Sequence, residues 1–156
     1  MNEETLQQII SRYENAHFTV NRRLNALLRD LVPEELTIDQ VFVMRYLSKK
    51  GKSTSSELAE SFCVGKSSIT AIITRLFDKH LIKRIPDDKD RRVTYIELTE
   101  EGSRVTDEMD DKIGRLLSGY IAQFEQREAE TFIATFERLA EVLADKRDDS
   151  GSHGDR

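Results

Sequence analysis

The chain has 156 residues, the size of one ordinary domain, and a single cysteine, Cys63, so no intrachain disulfide can form. No apolar run approaches the length of a membrane span and no signal-peptide pattern opens the chain, which leads us to expect a soluble cytoplasmic protein. The net charge of −5 is unevenly spread: residues 52–95 hold 9 basic and 6 acidic side chains, whereas 96–149 hold 7 and 15. A locally basic middle can hold phosphates inside an acidic chain, because salt screens charges beyond about 8–10 Å.

From Leu6 to Leu31 the apolar residues step in threes and fours: Leu6, Ile10, Tyr13, Val20, Leu24, Leu27 and Leu31, with His17 as the polar member of the seam. This narrow stripe predicts a long amphipathic helix of coiled-coil type, broken at Pro33. Thr37-Ile-Asp-Gln40 has the capping-box pattern and opens a second helix that buries Val41, Met44 and Leu47 and ends at Gly51. Thr54-Ser-Ser-Glu57 is a second capping box, opening a short helix packed through Leu58, Ala59 and Phe62. Cys63-Val-Gly65 is a tight connection to a fourth helix, Lys66–Lys79, whose inward residues are Ile69, Ile72, Ile73 and Leu76. Two short helices joined in this way form a helix-turn-helix pattern.

The period then changes. Arg91–Leu98 alternates and is rich in β-branched residues, which predicts a strand, with Ile82–Ile85 as its antiparallel partner. The charged turn Pro86-Asp-Asp-Lys-Asp-Arg91 joins them, and a hairpin placed after a helix-turn-helix is a wing. Thr99-Glu-Glu opens a fifth helix carrying Val105, Met109, Ile113, Leu116, Tyr120 and Phe124; after a break near 125–127 a sixth carries Phe132, Phe136, Leu139 and Leu143. The polar segment 148–156 is expected to be a disordered tail. The seams of the terminal helices have no large partner within the chain, and burial in a second copy predicts a homodimer. The expected fold is therefore mainly α with a small β-hairpin wing. A winged helix-turn-helix lobe occupies 33–98, and a helical dimerisation region is made of 1–32 and 99–147.

A helix that reads the major groove needs an apolar back and a front of short polar side chains. With Ile69 set inward, Ser67, Ala71 and Thr74 point outward, flanked by Ser68, Thr70 and Arg75. Lys66 opens that helix, and Thr37, Thr54 and Ser55 stand at the starts of the two helices before it. The same residues also suit a merely solvated face, so the wing is needed to decide. A narrow, negative minor groove admits an Arg on a thin hairpin. Arg91 and Arg92 stand where the turn meets the returning strand, with Lys89 before them and Arg84 on the outgoing strand. Asp90 among them would repel DNA unless its task is to orient a neighbouring Arg.

LAESFCVGKSSITAIITRL followed by LIKRIPDDKDRRVTYIELTEEG, with helices before and after, resembles the MarR (multiple antibiotic resistance regulator) family of transcription regulators over nearly the whole chain. The most specific piece is Asp90-Arg-Arg92 in a wing followed by Leu98-Thr99-Glu-Glu-Gly102. The resemblance implies that Arg92 enters the minor groove, that Asp90 positions it, and that Lys66–Lys79 is the recognition helix. Two positions depart from the family pattern. Gly65 stands where Ser or Asp often caps the recognition helix, and His80 stands where Gly is favoured, a position suited to positive φ. The family often binds small phenolic or anionic molecules in a crevice between helices one, two and five; the resemblance makes His17, Met44 and Met109 candidate effector contacts. His17 has the alternative reading of a satisfied interface histidine.

His17, His80 and His153 lie on different elements, and there is no CxxC, HExxH or Gly-rich phosphate loop, so neither catalysis, metal nor cofactor is expected. Cys63, between Phe62 and Val64, is read as buried packing rather than as a redox sensor. The expected function is a dimeric, sequence-specific repressor of palindromic operators, relieved by a small ligand. The alternative is a winged-helix protein-interaction module without DNA binding, against which Arg84, Asp90 and Arg92 argue.

Overall fold

The computed structural model describes residues 1–150. In chain order the elements are α1 (Glu3–Leu31), α2 (Ile38–Lys50), β1 (Ser53–Thr54), α3 (Ser55–Phe62), α4 (Lys66–Asp78), β2 (Ile82–Pro86), β3 (Thr94–Leu98), α5 (Glu100–Ile121) and α6 (Gln126–Ser150). The mainly α architecture with a small antiparallel wing is the one expected. The helix ends follow from local chemistry. Asn2 caps α1, its Oδ1 accepting from the Thr5 N–H at 2.8 Å, and Val32 turns extended ahead of Pro33. Both expected capping boxes are complete. Thr37 Oγ1 accepts from the Gln40 N–H while Gln40 Oε1 accepts from the Thr37 N–H, each at 3.2 Å. Thr54 and Glu57 exchange the same pair of bonds at 3.1 and 3.0 Å. Gly51 ends α2 at φ 80°, a value that costs other residues more.

The core of the lobe is sealed. Val43, Leu58, Ile69 and Leu76 are 0% exposed, and Val41, Met44, Leu47, Ile73, Ile82, Ile96, Met109 and Ile113 are also buried. Ile72 and Phe62, expected inside, are half-buried; the Phe62 ring meets Tyr46 edge-on at 5.7 Å. The described chain parts into two compact units between Ile113 and Gly114. The sequence groups α1 and α5 by their proposed role in dimerisation. Within the single chain, α1 and the first part of α5 lie in the same compact unit as the winged lobe, with Leu28, Thr106, Met109 and Ile113 buried. Helix α2 is tied to α5 by an ion pair, Arg45 Nε to Asp110 Oδ1 at 2.5 Å.

The sheet has three strands, ordered β1-β3-β2, where the sequence predicts two. The missed strand is β1, whose Ser53 and Thr54 pair with Ile96 and Tyr95. Two residues are too few for alternation to register. The hairpin pairs Ile82 with Leu98 through to Pro86 with Thr94.

The Leu98-Thr-x-x-Gly102 motif has a structural account. Thr99 donates its N–H to Leu81 O (3.0 Å) and its hydroxyl to His80 O (2.7 Å), while its Oγ1 accepts the Gly102 N–H (3.0 Å). This staples the start of α5 to the residues that follow α4. Gly102 is buried against that junction, and a Cβ built on it would collide with the Leu81 carbonyl oxygen.

Cys63 corrects an expectation: it is exposed, not packed. It closes α3 in the left-handed conformation (φ 55°), its N–H bonded to Ala59 O and Glu60 O, and this geometry turns the side chain out of the helix seam. α6 stays helical through Ser150, past the expected start of the tail at 148; the remainder of that expected tail, 151–156, lies outside the described residues.

Candidate nucleic-acid interface

Helix α4 presents the predicted faces. Ile69, Ile73 and Leu76 are buried, and Ser67, Ser68, Thr70, Ala71, Thr74 and Arg75 are all exposed. Lys66, its first residue, is exposed too. Gly65 is the N-cap and gives no side-chain bond, so the first N–H groups of the helix have no side-chain acceptor from the cap. At the other end His80 takes positive φ (58°), the conformation expected at that position, with its N–H on Phe77 O and the Leu81 N–H on Leu76 O. Lys79 reaches back to donate to Glu35 O and to Gln40 Oε1 (3.4 Å), which ties the end of α4 to the capping box of α2.

Thr37, Thr54 and Ser55 lie at the starts of α2 and α3. The hydroxyl oxygens of both threonines accept the capping bonds, so their first task is structural; Ser55 is exposed.

In the wing, Arg92 and Asp90 form a clamp. Arg92 Nε and Nη2 donate to Asp90 Oδ1 and Oδ2 at 3.1 and 3.2 Å, and the Arg92 backbone N–H donates to Oδ1 at 3.1 Å. The Arg92 side chain is nevertheless 90% exposed. The carboxylate thus grips one edge of the guanidinium and leaves the rest in solvent. The hydrogen bonds from the Arg92 side chain and backbone hold the Asp90 carboxyl below its ordinary value. Arg91 and Lys89 are exposed beside the clamp, and the Lys89 N–H is held by Asp87 Oδ1 at 2.9 Å.

The base of the wing contains residues that the sequence pattern does not single out. Tyr95 donates to Asp87 Oδ2 at 3.4 Å, and the Asp87 charge raises the phenol's pKa. Lys52 lies over the Tyr95 ring at 4.7 Å. Arg84 lies against α4, its guanidinium Cζ over the Phe77 ring at 4.5 Å from the centroid. The signal that could have found this pair is an aromatic residue, Phe77, lying outside the inward set of its helix.

Met44 and Met109 are each 1% exposed and fill the core from the inward faces of α2 and α5. His17 lies on the exposed part of α1, stacked on Tyr13 at 5.6 Å. Both methionines belong to the buried core, whereas His17 is exposed. No cluster of potential metal ligands occurs among the described residues.

The MarR family profile matches residues 36–94, the stretch from the end of the α1–α2 connection to the start of β3. The uncharacterized HTH-type transcriptional regulator YsmB of Bacillus subtilis (strain 168) is 31% identical over 103 residues, covering 66% of this chain and 68% of YsmB. The chain belongs to the MarR family. Another relative, the HTH-type transcriptional repressor MdtR of the same organism, is 40% identical over 87 residues, which span 51% of this chain and 56% of MdtR. The same fold occurs in a mutant MarR from E. coli complexed with operator DNA, with a TM-score of 0.69 and 24% identity over 86% of this chain and 94% of that one. For this MarR-family chain, the aligned stretch contains the helix-turn-helix, α4 and the Asp90–Arg92 clamp. No described helix is long and apolar enough to cross a membrane.

Proposed function

We propose that this MarR-family protein is a transcription regulator that binds double-stranded DNA as a symmetric homodimer and acts as a repressor at inverted-repeat sites. In this reading α4 lies in the major groove and meets base edges through Ser67, Thr70, Ala71 and Thr74. Arg92 enters the flanking minor groove. The observation that carries the reading is the wing clamp: Arg92 is 90% exposed, yet its orientation is fixed by Asp90. An exposed Arg held in place loses less side-chain entropy when it binds, and a narrow minor groove attracts such a charge. A protein-interaction module has less use for a cation so placed beside a helix whose front is made of small, mostly polar side chains.

Dimerisation is supported by apolar side chains left uncovered in the single chain. On α1 these include Leu6, Ile10, Tyr13 and Val20, and on α6 they include Phe132, Phe136, Val142 and Leu143. Repression is supported by the likeness to MdtR, a repressor by name, and DNA binding by the fold shared with a protein seen on operator DNA. Release by a small phenolic or anionic molecule is part of the proposal, with no site assigned to it. The absence of an enzymatic role belongs to the same reading, since its relatives are transcriptional regulators.

Selection of bound fragments from a random DNA pool tests the proposal. The expected product is a palindrome whose half-site centres lie about one helical turn, roughly 10 bp, apart. Recovery of no preferred sequence overturns it.

A further inference from the structure

Phe77 belongs neither to the core of the lobe nor to the polar front of α4. It sits in the last turn, 39% exposed, and Arg84 of β2 covers it, with Cζ 4.5 Å from the ring centroid. Arg84 lies opposite Ile96 in the hairpin register, and Ile96 is buried, so Arg84 leaves the sheet on its core-facing side, toward α4. Arg45, Arg92 and Arg104 each pair with a carboxylate, whereas no ion pair involves Arg84 among the described residues. A cation over an aromatic ring needs no carboxylate partner, and the guanidinium still offers N–H donors to another group. Such donors match two oxygens of one phosphate.

We infer that Phe77 is a positioning residue: its ring is a platform that holds the Arg84 guanidinium ready for one phosphate of the DNA backbone, between the recognition helix and the wing. The inference rests on the DNA-binding reading and adds to it a residue that does not itself touch DNA. Phosphate contacts fix the register of a protein on its duplex. An Arg shared between α4 and β2 therefore sets the two reading elements on the backbone together. Without the ring Arg84 keeps its charge, but it must be ordered at the moment of binding.

The test measures affinity of the full chain for its selected operator across a salt series, in wild type, F77L, F77Y, R84A and F77L/R84A. F77L is expected to bind about fivefold more weakly at fixed salt, the effect of removing an exposed cation–π pair from both subunits. Its log–log salt slope should be unchanged, because the charge remains. F77Y should bind as wild type. R84A should flatten the slope by about 0.9 for each phosphate no longer neutralised. F77L should add nothing once Arg84 is Ala. Wild-type affinity in F77L, or the same cost in the R84A background, overturns the inference. In the free protein, the Arg84 side-chain protons should show a ring-current shift in wild type and F77Y that disappears in F77L. Its absence from wild type refutes the platform while leaving the DNA reading intact. If wild type itself binds no DNA, the regulator reading fails and this inference fails with it. R84K supplies a check without touching the ring: slope kept, affinity reduced, since an ammonium is a hydrated point charge without the planar fork.

Discussion

Helices α4 and α6 carry apolar residues at the same spacing and reach opposite states. In α4, Ile69, Ile73 and Leu76 are 0%, 3% and 0% exposed; in α6, Phe132, Phe136, Leu139 and Leu143 are 66%, 50%, 37% and 59% exposed. Both patterns suffice to specify a helix and to choose its apolar face. What differs is the cover. The face of α4 is closed by elements its own chain supplies, with the junction to α5 locked by Thr99 and Gly102. The face of α6 has no such cover in its own unit. Periodicity therefore states that a face must be buried without stating in which molecule, and the proposed homodimer is the answer for α6. Full burial of a Phe or Leu side chain is worth about 1.5–3 kcal/mol, so a seam of four represents a strong drive to associate.

Breaking the uncovered side of the comparison should have the largest effect. Phe136→Glu places a charge in the α6 seam, where Phe136 stacks on Phe132 at 5.6 Å. The variant should be a monomer at micromolar concentration by light scattering, with the helical content of the wild type. Operator affinity should fall by about 100-fold or more, because linking two half-site readers is worth 10²–10⁴. A dimeric F136E refutes the proposed interface.

The covered side should respond differently. Gly102→Ala drives a Cβ into the Leu81 carbonyl oxygen at the α4–α5 junction. Relief requires backbone movement, for which about 3 kcal/mol is expected. In a chain of this size that lowers Tm by about 6–12 °C, measurable by calorimetry. The dimer should persist at temperatures below the transition, unlike that of F136E. An unchanged Tm would show that the junction is looser than the buried position of Gly102 implies.

Sequence alone delivers the lobe because its signals are local. Capping boxes at Thr37 and Thr54, positive φ at Gly51 and the switch to alternation in β3 each act within a few residues. The outward set of α4 follows from the same 100° step. The misses have other causes. β1 is two residues long and exists only by pairing with β3. Cys63 looks apolar between Phe62 and Val64, but the left-handed cap turns it outward. Arg84 faces Phe77 because of a register that no local pattern encodes. Tertiary pairing decides β1 and Arg84, whereas the local left-handed cap decides Cys63.

The lobe is open to solvent at the front of α4 and in the wing, where Arg92 is 90% exposed and held by Asp90. Arg92→Ala should leave Tm unchanged and reduce operator affinity by about tenfold, ~1.4 kcal/mol. The log–log salt slope should flatten by about 0.9 for each phosphate-equivalent charge withdrawn, and preference for A·T-rich flanks should weaken while the core half-site preference survives. Disappearance of half-site preference instead would mean that the wing, not α4, reads the site.

The smallest effect is expected at Asp90, and its sign is the informative part. If Asp90 only repels DNA, removing its charge must tighten binding, in Asp90→Ala and Asp90→Asn alike. If it holds Arg92 in place, Asp90→Ala should weaken binding by about threefold, since Arg92 keeps its charge and gives up only its orientation. Asp90→Asn retains one oxygen to accept from the Arg92 N–H groups, now at 3.1 and 3.2 Å, and should fall between Ala and wild type. The pH dependence gives an independent check. Arg92 lowers the Asp90 pKa beneath its ordinary 3.8, so the clamp is complete above that value and is lost only as pH falls through the lower folded one. The difference in affinity between wild type and D90A should therefore stay constant from pH 8 to about pH 5. A difference that shrinks across that window would place the titration of another group, and not the Asp90 carboxylate, in control of Arg92.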